Sequence, residues 1–425
     1  MKLERICPIC NCEKGENLYD INFAKYDGEY IPEHYNIVAC ENCGFIFNNT
    51  EWTQKDYDKY YISTSKYSNN FTIGAGGLSD LDRKRYNGII DKIEKIINKD
   101  SSIVDIGCAK GGLLRIFQER GYNNLYGIEP SQEAIDNLKN YNIEGYNSSI
   151  FDIIDKVNKQ FNVVILSQVL EHIYDLKTIK YIIKNILKED GILFIDVPDG
   201  TSYLRNNLAS FYYFDLEHIN HFSITTLEYL FEDMTLIQKG IEYFNNFSNI
   251  NSYILYGIFS NKKNNIKKRI NKDITSILMM KDYIDNSKKI DFINIDNIDE
   301  DKQTFCWGLG ANLRRLLSTK NYFSNIKIDG IIEKNNSYVS KKVKDINNND
   351  IEIFPTNIIE KYNDANIIIA SILYSEQIKN ELLSNKNFIG KIAEQSRAEQ
   401  SRAEQSRAEQ SRAEQIFDYY FKEVA

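Results

Sequence analysis

The chain has 425 residues, a formal net charge of −8 and 42% apolar side chains. That length implies two or three domains, and that composition is typical of folded globular proteins rather than disordered or fibrous ones. The acidic balance argues against a nucleic-acid partner held by bulk electrostatics. No apolar run approaches the ~20 residues of a membrane-spanning helix, and the start, MKLERICPIC, lacks a signal-peptide core, so the expectation is a cytoplasmic protein with no membrane partner. In that compartment seven cysteines read as metal ligands or buried thiols, not as disulfides.

The first segment carries Cys7-Pro8-Ile9-Cys10 and Cys40-Glu41-Asn42-Cys43-Gly44. Two C-x-x-C pairs separated by a loop are the ligand set of a zinc ribbon: each pair sits on a tight turn, and four thiolates close a tetrahedron. Such a site has no open position for water, so Zn2+ held by Cys7, Cys10, Cys40 and Cys43 supports the fold and does no chemistry. Cys12 is a spare thiol, and His34 is a weaker rival ligand. Between residues 50 and 71 aromatics crowd together (Tyr57, Tyr60, Tyr61, Tyr67), which suits a connecting helix packed on the next domain, with one or two tyrosines facing a cleft. Apolar residues on one face (Ile89, Ile90, Ile93, Ile96, Ile97) predict a helix over 78–99.

The stretch 101–129 is the most informative. A strand over 103–106 runs into the turn Gly107-Cys108-Ala109-Lys110-Gly111-Gly112, a helix follows over 113–120, and a second strand over 125–128 ends at Glu129. This is a βαβ unit with a ligand-binding crossover. The turn lets a ligand lie against backbone N–H groups, and Glu129 can accept hydrogen bonds from both ribose hydroxyls. The spacing Gly107-x-x-x-Gly111 departs from the dinucleotide pattern G-x-G-x-x-G. With Asp105 inside the strand, it resembles motif I of class I S-adenosylmethionine (SAM) methyltransferases, with Ala109 at the middle glycine. That resemblance implies that Asp105 lies near the methionine part of SAM, that Glu129 holds the ribose, and that Gly107 and Gly111 line the turn. Further on, 146–151 is a third strand region, where Ser149 or Asp152 suits the adenine edge. The run 161–166 is a buried parallel strand, 177–187 a helix broken at Gly191, and 192–198 another strand. Between them Ser167-Gln168-Val169-Leu170-Glu171-His172 resembles motif IV of the same enzymes, which places Ser167 and Gln168 at the cofactor. His172 there is read as a capping or packing histidine.

Phe214-Asp215-Leu216-Glu217-His218-Ile219-Asn220-His221-Phe222-Ser223 sets two of the four histidines beside two carboxylates. It resembles the E-H-x-x-x-F-S segment of zinc-ribbon C-methyltransferases of nucleotide-linked deoxysugars. The resemblance implies that His218 is the catalytic base with Glu217 beside it, although Asp215 stands where that group has a tyrosine. A helix over 224–233 and closing strands over 236–244 and 253–259 complete this domain. Residues 261–300 read as a linker helix, with a stripe of Ile266, Ile270, Ile274, Ile277 and Leu278 and a solvated lysine face (Lys262, Lys263, Lys267, Lys268). The strand 304–307, the turn Gly308-Leu309-Gly310 and the strand 326–332 ending at Glu333 then repeat the βαβ theme, with Arg314 and Arg315 placed to meet a phosphate. The sugar C-methyltransferases carry such a domain too, where it helps hold the nucleotide-sugar.

The expected architecture is therefore α/β: a zinc-binding ribbon and aromatic connector over 1–70, a doubly wound Rossmann-like SAM domain over 71–260, a linker over 261–300, a smaller Rossmann-like domain over 301–392, and a repeat and tail over 393–425. The resemblance implies a SAM-dependent methyltransferase acting on a nucleotide-linked sugar or glycan precursor, and a monomer or homodimer is expected. The alternatives are an NAD-dependent sugar-nucleotide oxidoreductase or epimerase, or a non-catalytic zinc-ribbon binding protein. The tail is AEQSR repeated. A five-residue step turns a helix by about 140°, so no continuous apolar face forms. The tract AGAGC read in successive frames encodes this peptide, which suggests a phase-variable gene. Sequencing the gene tests this: one unbroken pentanucleotide tract is expected, and scrambled synonymous codons would refute it.

Overall fold

A computed structural model of the protein describes residues 1–63, 76–205, 210–245, 251–263, 270–290, 298–323 and 326–394. Tyr67, Ile266, Lys267, Lys268 and the repeat beyond Glu394 lie outside the described residues. Three sheets organise the rest.

The central sheet has seven strands in the order Met234–Asn245, Asn251–Lys263, Leu187–Pro198, Phe161–Ser167, Ile103–Ile106, Leu125–Glu129, Glu144–Asn147. Ile103 to Ile106 pair in parallel with Leu125 to Ile128 on one side and with Val163 to Leu166 on the other. The central strand of the three, Ile103–Ile106, is buried throughout because helices pack on both faces of the sheet. The helix Asp80–Ile93 buries Tyr86, Ile89, Ile90 and Ile93, and the helix Leu176–Ile186 buries Leu176, Ile179, Ile182, Ile183 and Ile186 against the opposite face. The first of these starts at Ser79, whose hydroxyl accepts from the Asp82 N–H while Asp82 accepts from the Ser79 N–H. That reciprocal cap fixes its start at Asp80, later than the 78 read from spacing, and the helix ends at Ile93, short of 99. The order in which successive strands are added reverses between Ile103–Ile106 and Phe161–Ser167, which opens a crevice at their carboxyl ends.

The N-terminal sheet runs Gly15–Asn22, His34–Cys40, Ile46–Asn49, Asn220–His221. Its last strand is contributed by the central part of the chain, with Ile46 facing His221 and Phe47 facing Asn220. The C-terminal sheet has six strands in the order Lys342–Lys344, Asp350–Phe354, Gly330–Ile332, Thr304–Trp307, Asn366–Ile369, Ile392–Glu394, all parallel except at the Lys342–Lys344 edge.

Several boundaries differ from expectation for physical reasons. The helix before Gly191 ends at Ile186, because Leu187 already pairs with Phe161. The third strand is Glu144–Asn147, and Ile150–Asp152 is a helical turn, since Asn147 pairs with Glu129 and the ladder ends there. Residues 326–329 are not strand, and pairing starts at Gly330. Residues 261–263 continue a strand, so the predicted linker helix starts only at Ile274 and ends at Ile290. Its buried stripe is Ile277, Met280, Tyr283 and Ile284, whereas Ile274 and Leu278 are exposed. This helix is no spacer, because that stripe packs against Tyr35, Ile37, Tyr203, Tyr213 and Phe214. Ala393 and Glu394, the first repeat residues, pair with Ile368 and Ile369 and so belong to the C-terminal sheet. No helix among the described residues is long and apolar enough to cross a membrane.

The C-terminal sheet is tied to the N-terminal segment by Arg314. Its guanidinium forks onto the Glu29 carboxylate (Nη2 to Oε1 2.7 Å) and donates to the Ala24 carbonyl at 3.1 Å. Both side chains are buried, at 5% and 9% exposure. Truncating one partner strands the other charge away from water. Arg314→Ala should lower stability by about 3 kcal/mol in chemical denaturation, and Glu29→Ala combined with it should cost less than the two single losses summed. Additive losses would show that the pair is not coupled.

Candidate functional site

The crevice at the switch of strand order holds the glycine turn. Gly107 and Gly111 take φ of +73° and +77°, in the left-handed region. A Cβ on Gly111 would stand 2.2 Å from the Leu138 side chain, so both conformation and space demand glycine there. Ala109 shares this conformation with φ of 45°, which explains why glycine suits the middle position of such a turn. Its N–H donates to Glu129 Oε2 at 3.1 Å, and the Ser131 N–H reaches Glu129 Oε1 at 3.3 Å. The Glu129 carboxylate thus bridges the turn and the next helix. Burial raises its pKa. Asp105, only 4% exposed, is pushed up to about 8, chiefly by burial.

On the neighbouring strand ends, Ser167 Oγ donates to Asp196 Oδ1 at 2.9 Å, and Gln168 Nε2 donates to the same oxygen at 3.1 Å. Arg85 reaches over from its helix to Ser167 Oγ and to Asp196 (3.0 Å). The structure therefore gathers Asp105, Gly107, Gly111, Glu129, Ser167 and Gln168 at one sheet edge. It adds Arg85 and Asp196, which the sequence reading passed over. Asp196 carried a readable signal, an acid inside the apolar run ILFIDVP, as Asp105 does in IVDI. Arg85 carried none, since a helical arginine is ordinarily a surface group. Ser149 and Asp152 bond to each other at 2.8 Å.

A second cluster lies just past the Phe161–Ser167 strand. Asp215 Oδ1 accepts from the Glu217 N–H (2.9 Å) and the His218 N–H (2.7 Å), which shapes the turn carrying both side chains. Tyr60 OH donates to Glu217 Oε1 at 3.2 Å, and Tyr61 meets the edge of His172. His172 Nδ1 is 3.1 Å from the Glu217 carbonyl oxygen, and its ring lies 4.9 Å from that of His218. His172, read from sequence as a capping or packing histidine, packs against the expected base. Burial, then the His218 ring, lowers its pKa to about 4. Glu171 is 1% exposed and raised to about 8, first by burial. His221 faces Tyr203 OH at 3.0 Å and is lowered to about 3 by burial. It stands apart from this pair as a neutral, packed imidazole.

The four ribbon cysteines converge. Cys7 Sγ lies 3.6 Å from Cys43 Sγ, Cys10 Sγ lies 3.4 Å from Cys40 Sγ, and all four sulfurs lie within 4.8 Å of one another. Sulfurs about 3.8 Å apart are what zinc–thiolate bonds of ~2.3 Å require in a tetrahedron. Gly44, at φ of +78°, turns its N–H onto the Cys40 carbonyl, and a Cβ there would strike the Asp273 backbone at 2.6 Å. Cys12 instead donates to the Lys14 carbonyl, and His34 is exposed. Arg314, read as a possible phosphate contact, is spent on Glu29, and Arg315 is buried with its guanidinium over Phe211.

Residues 81–235 match the family model described as "Methyltransferase domain". Over 108 residues the chain is 33% identical to the mitochondrial ubiquinone biosynthesis O-methyltransferase of Bos taurus, covering 23% of this chain and 29% of that protein. It is 29% identical over 146 residues to the ubiquinone biosynthesis O-methyltransferase of Rickettsia bellii, covering 32% of this chain and 60% of the relative. The matched part thus spans under two thirds of either relative. Among solved structures, the N-methyltransferase NodS of Bradyrhizobium japonicum bound to S-adenosyl-L-homocysteine is similar at 14% identity, with a TM-score of 0.36 over 49% of this chain and 97% of that one. The central part of the chain thus carries a methyltransferase domain, and the relatives it matches are methyltransferases.

Asp105 supplies a test of the crevice's electrostatics. Between an unfolded carboxylate pKa of about 4 and its raised value of about 8, the folded protein keeps a proton that the unfolded chain has released. Stability should therefore fall as pH rises through that window and level off above it. Asp105→Asn should flatten part of this slope, read as thermal midpoints between pH 5 and 8. Parallel profiles for the two proteins would show that Asp105 is ionised in the fold.

Proposed function

We propose that the whole protein is a SAM-dependent methyltransferase whose acceptor is a nucleotide-linked sugar or related glycan precursor, working in the cytoplasm as a monomer or homodimer. The observation that carries this reading is the meeting of two chain segments at the carboxyl edge of the sheet. Glu217 and His218 stand against His172, one strand end away from the Ser167–Gln168 and glycine-turn cradle. The residues present suit the cofactor. A buried acid, Asp105, and a partly buried one, Glu129, flank a turn that side chains would fill, and Glu129 can accept from ribose hydroxyls. SAM, when bound, supplies an already activated methyl group.

The protein then has to align a nucleophile and manage a proton. In this reading His218 removes the proton from an acceptor carbon beside a keto group, or from a hydroxyl. Glu217 supports the protonated base, and Tyr60 holds the Glu217 carboxylate. The four-thiolate site takes structural Zn2+ and keeps the ribbon rigid. The sugar-nucleotide acceptor rests on the resemblance of the Glu217-His218 segment and of the C-terminal domain. The NAD-dependent alternative is not favoured, because the relatives that match are methyltransferases.

His218→Ala should lower methyl transfer to a panel of deoxysugar nucleotides by about 10²–10⁴-fold while S-adenosylhomocysteine binding by calorimetry stays within error. Near-normal turnover in that variant would refute the role of His218. Absence of S-adenosylhomocysteine binding to the unaltered protein would refute the methyltransferase reading.

A further inference from the structure

The cluster around His172 holds more ligand capacity than a base and its partner need. One ligand atom each from Glu171, His172 and His218 lie within 4.8 Å of one another. Both Glu171 oxygens are buried with no hydrogen-bond partner among the described residues, and the same is true of His218 Nδ1. Leaving a carboxyl group dry and unpaired is costly, and groups so left in a folded protein call for an explanation. Glu171 is buried, and His172 and His218 beside it are partly buried.

Their geometry is that of a preformed ligand set. His172 Nδ1 faces the Glu217 carbonyl oxygen at 3.1 Å, so that nitrogen carries the proton and donates. The tautomer this fixes leaves the Nε2 lone pair free, and Nε2 points toward Glu171 Oε1 at 3.8 Å. That distance is too long for a hydrogen bond, yet near the separation of ligand atoms around one ion with bonds of about 2.0–2.2 Å. A histidine that donates one ring N–H to a backbone carbonyl while offering the other nitrogen is the usual arrangement of a metal-bound imidazole. The two segments are also locked together. The Ile219 N–H donates to the Glu171 carbonyl at 2.8 Å, and Asn220 Nδ2 donates to the Leu170 and Ile173 carbonyls at 2.7 Å each. Little ordering remains to be done on binding.

We propose that Glu171, His172 and His218 form a binding site for one divalent first-row transition-metal ion, separate from the zinc of the ribbon. Two imidazoles and one carboxylate suit Mn2+, Fe2+, Co2+ or Zn2+, and three protein ligands leave positions open. If the methyltransferase reading holds, an oxygen of the acceptor takes an open position. With an ion bound, His218 would hold it and could not act as the base, so the proton-removing role proposed above belongs to the ion-free protein. The metal site itself does not depend on that reading.

The test is a Co2+ titration of the full chain with its ribbon already filled with zinc, followed by calorimetry and visible absorption. The expected result is one further equivalent bound, with weak ligand-field bands and no intense thiolate charge-transfer absorption. Glu171→Gln and His218→Asn should each weaken this binding by about 10–100-fold. Cys12→Ser should leave it unchanged. Retained zinc content and cooperative thermal unfolding establish that each variant is folded. No second equivalent, thiolate absorption alone, or unchanged affinity in both folded triad variants would overturn the proposal. Titration of the same sample with S-adenosylhomocysteine separates failure of the metal site from failure of the methyltransferase reading.

Discussion

The structure depends on one buried cation. Arg5 is 2% exposed, yet its guanidinium donates to the backbone carbonyls of Ile173, Tyr174 and Ile219. Those carbonyls belong to the two segments that carry Glu171-His172 and Glu217-His218. Burial lowers the pKa of Arg5 to about 10, and the group remains a cation near neutral pH. Its planar fork serves several acceptors at once, which a lysine would not do. The Asn48 N–H adds a further bond to the Ile219 carbonyl, and Asn220–His221 continues the ribbon's sheet. The N-terminal segment that gathers the four cysteines is therefore joined to the edge that carries Glu171-His172 and Glu217-His218. Cys7, two residues from Arg5, is the point at which the cysteine cluster and that clamp meet.

The same economy recurs in the C-terminal sheet. Glu333, at the end of its second strand region, accepts from the Leu309 N–H at 2.9 Å and from the Asn335 N–H at 3.1 Å. Glu129 makes the corresponding two bonds in the central domain, to Ala109 and Ser131. In both units a tight turn with a positive-φ glycine, Gly107 or Gly308, needs an acid to collect its outward N–H groups. Local backbone geometry thus generates the same constellation twice, and the groups around each copy set what it does. Around Glu129 stand the buried Asp105 and the Arg85–Asp196–Ser167 network. Near Gly308 the adjacent helix turns Arg314 away to the ribbon.

The sequence was most legible where the signal is local. Period-two and continuous apolar runs marked the strands around residues 103–106, 125–129 and 161–167, because a strand buried on both faces must be apolar throughout. C-x-x-C spacing marked four thiols that meet in space, because a metal knuckle is a short turn. Reading failed where pairing partners are distant. Nothing near Ile186 announces that the next residue joins Phe161, and nothing in 261–263 separates a strand end from a helix start. The stripe of the Ile274–Ile290 helix was misplaced for the same reason. Met280 and Tyr283 are buried by residues from three other parts of the chain, while isoleucine at 274 meets water.

The sequence by itself determined the parts: a glycine turn before an acid-terminated strand, two cysteine pairs, and two carboxylate–histidine pairs. These follow from backbone conformation and side-chain chemistry, which act over a few residues. Only the tertiary structure decided that Glu171-His172 and Glu217-His218 form one cluster, that Asp196 and Arg85 share the crevice beside the glycine turn, and that the N-terminal segment holds the cluster in place. Those relations join residues from 45 to more than 200 positions apart. They are set by which faces pack and which edges pair, and no short stretch of sequence encodes either.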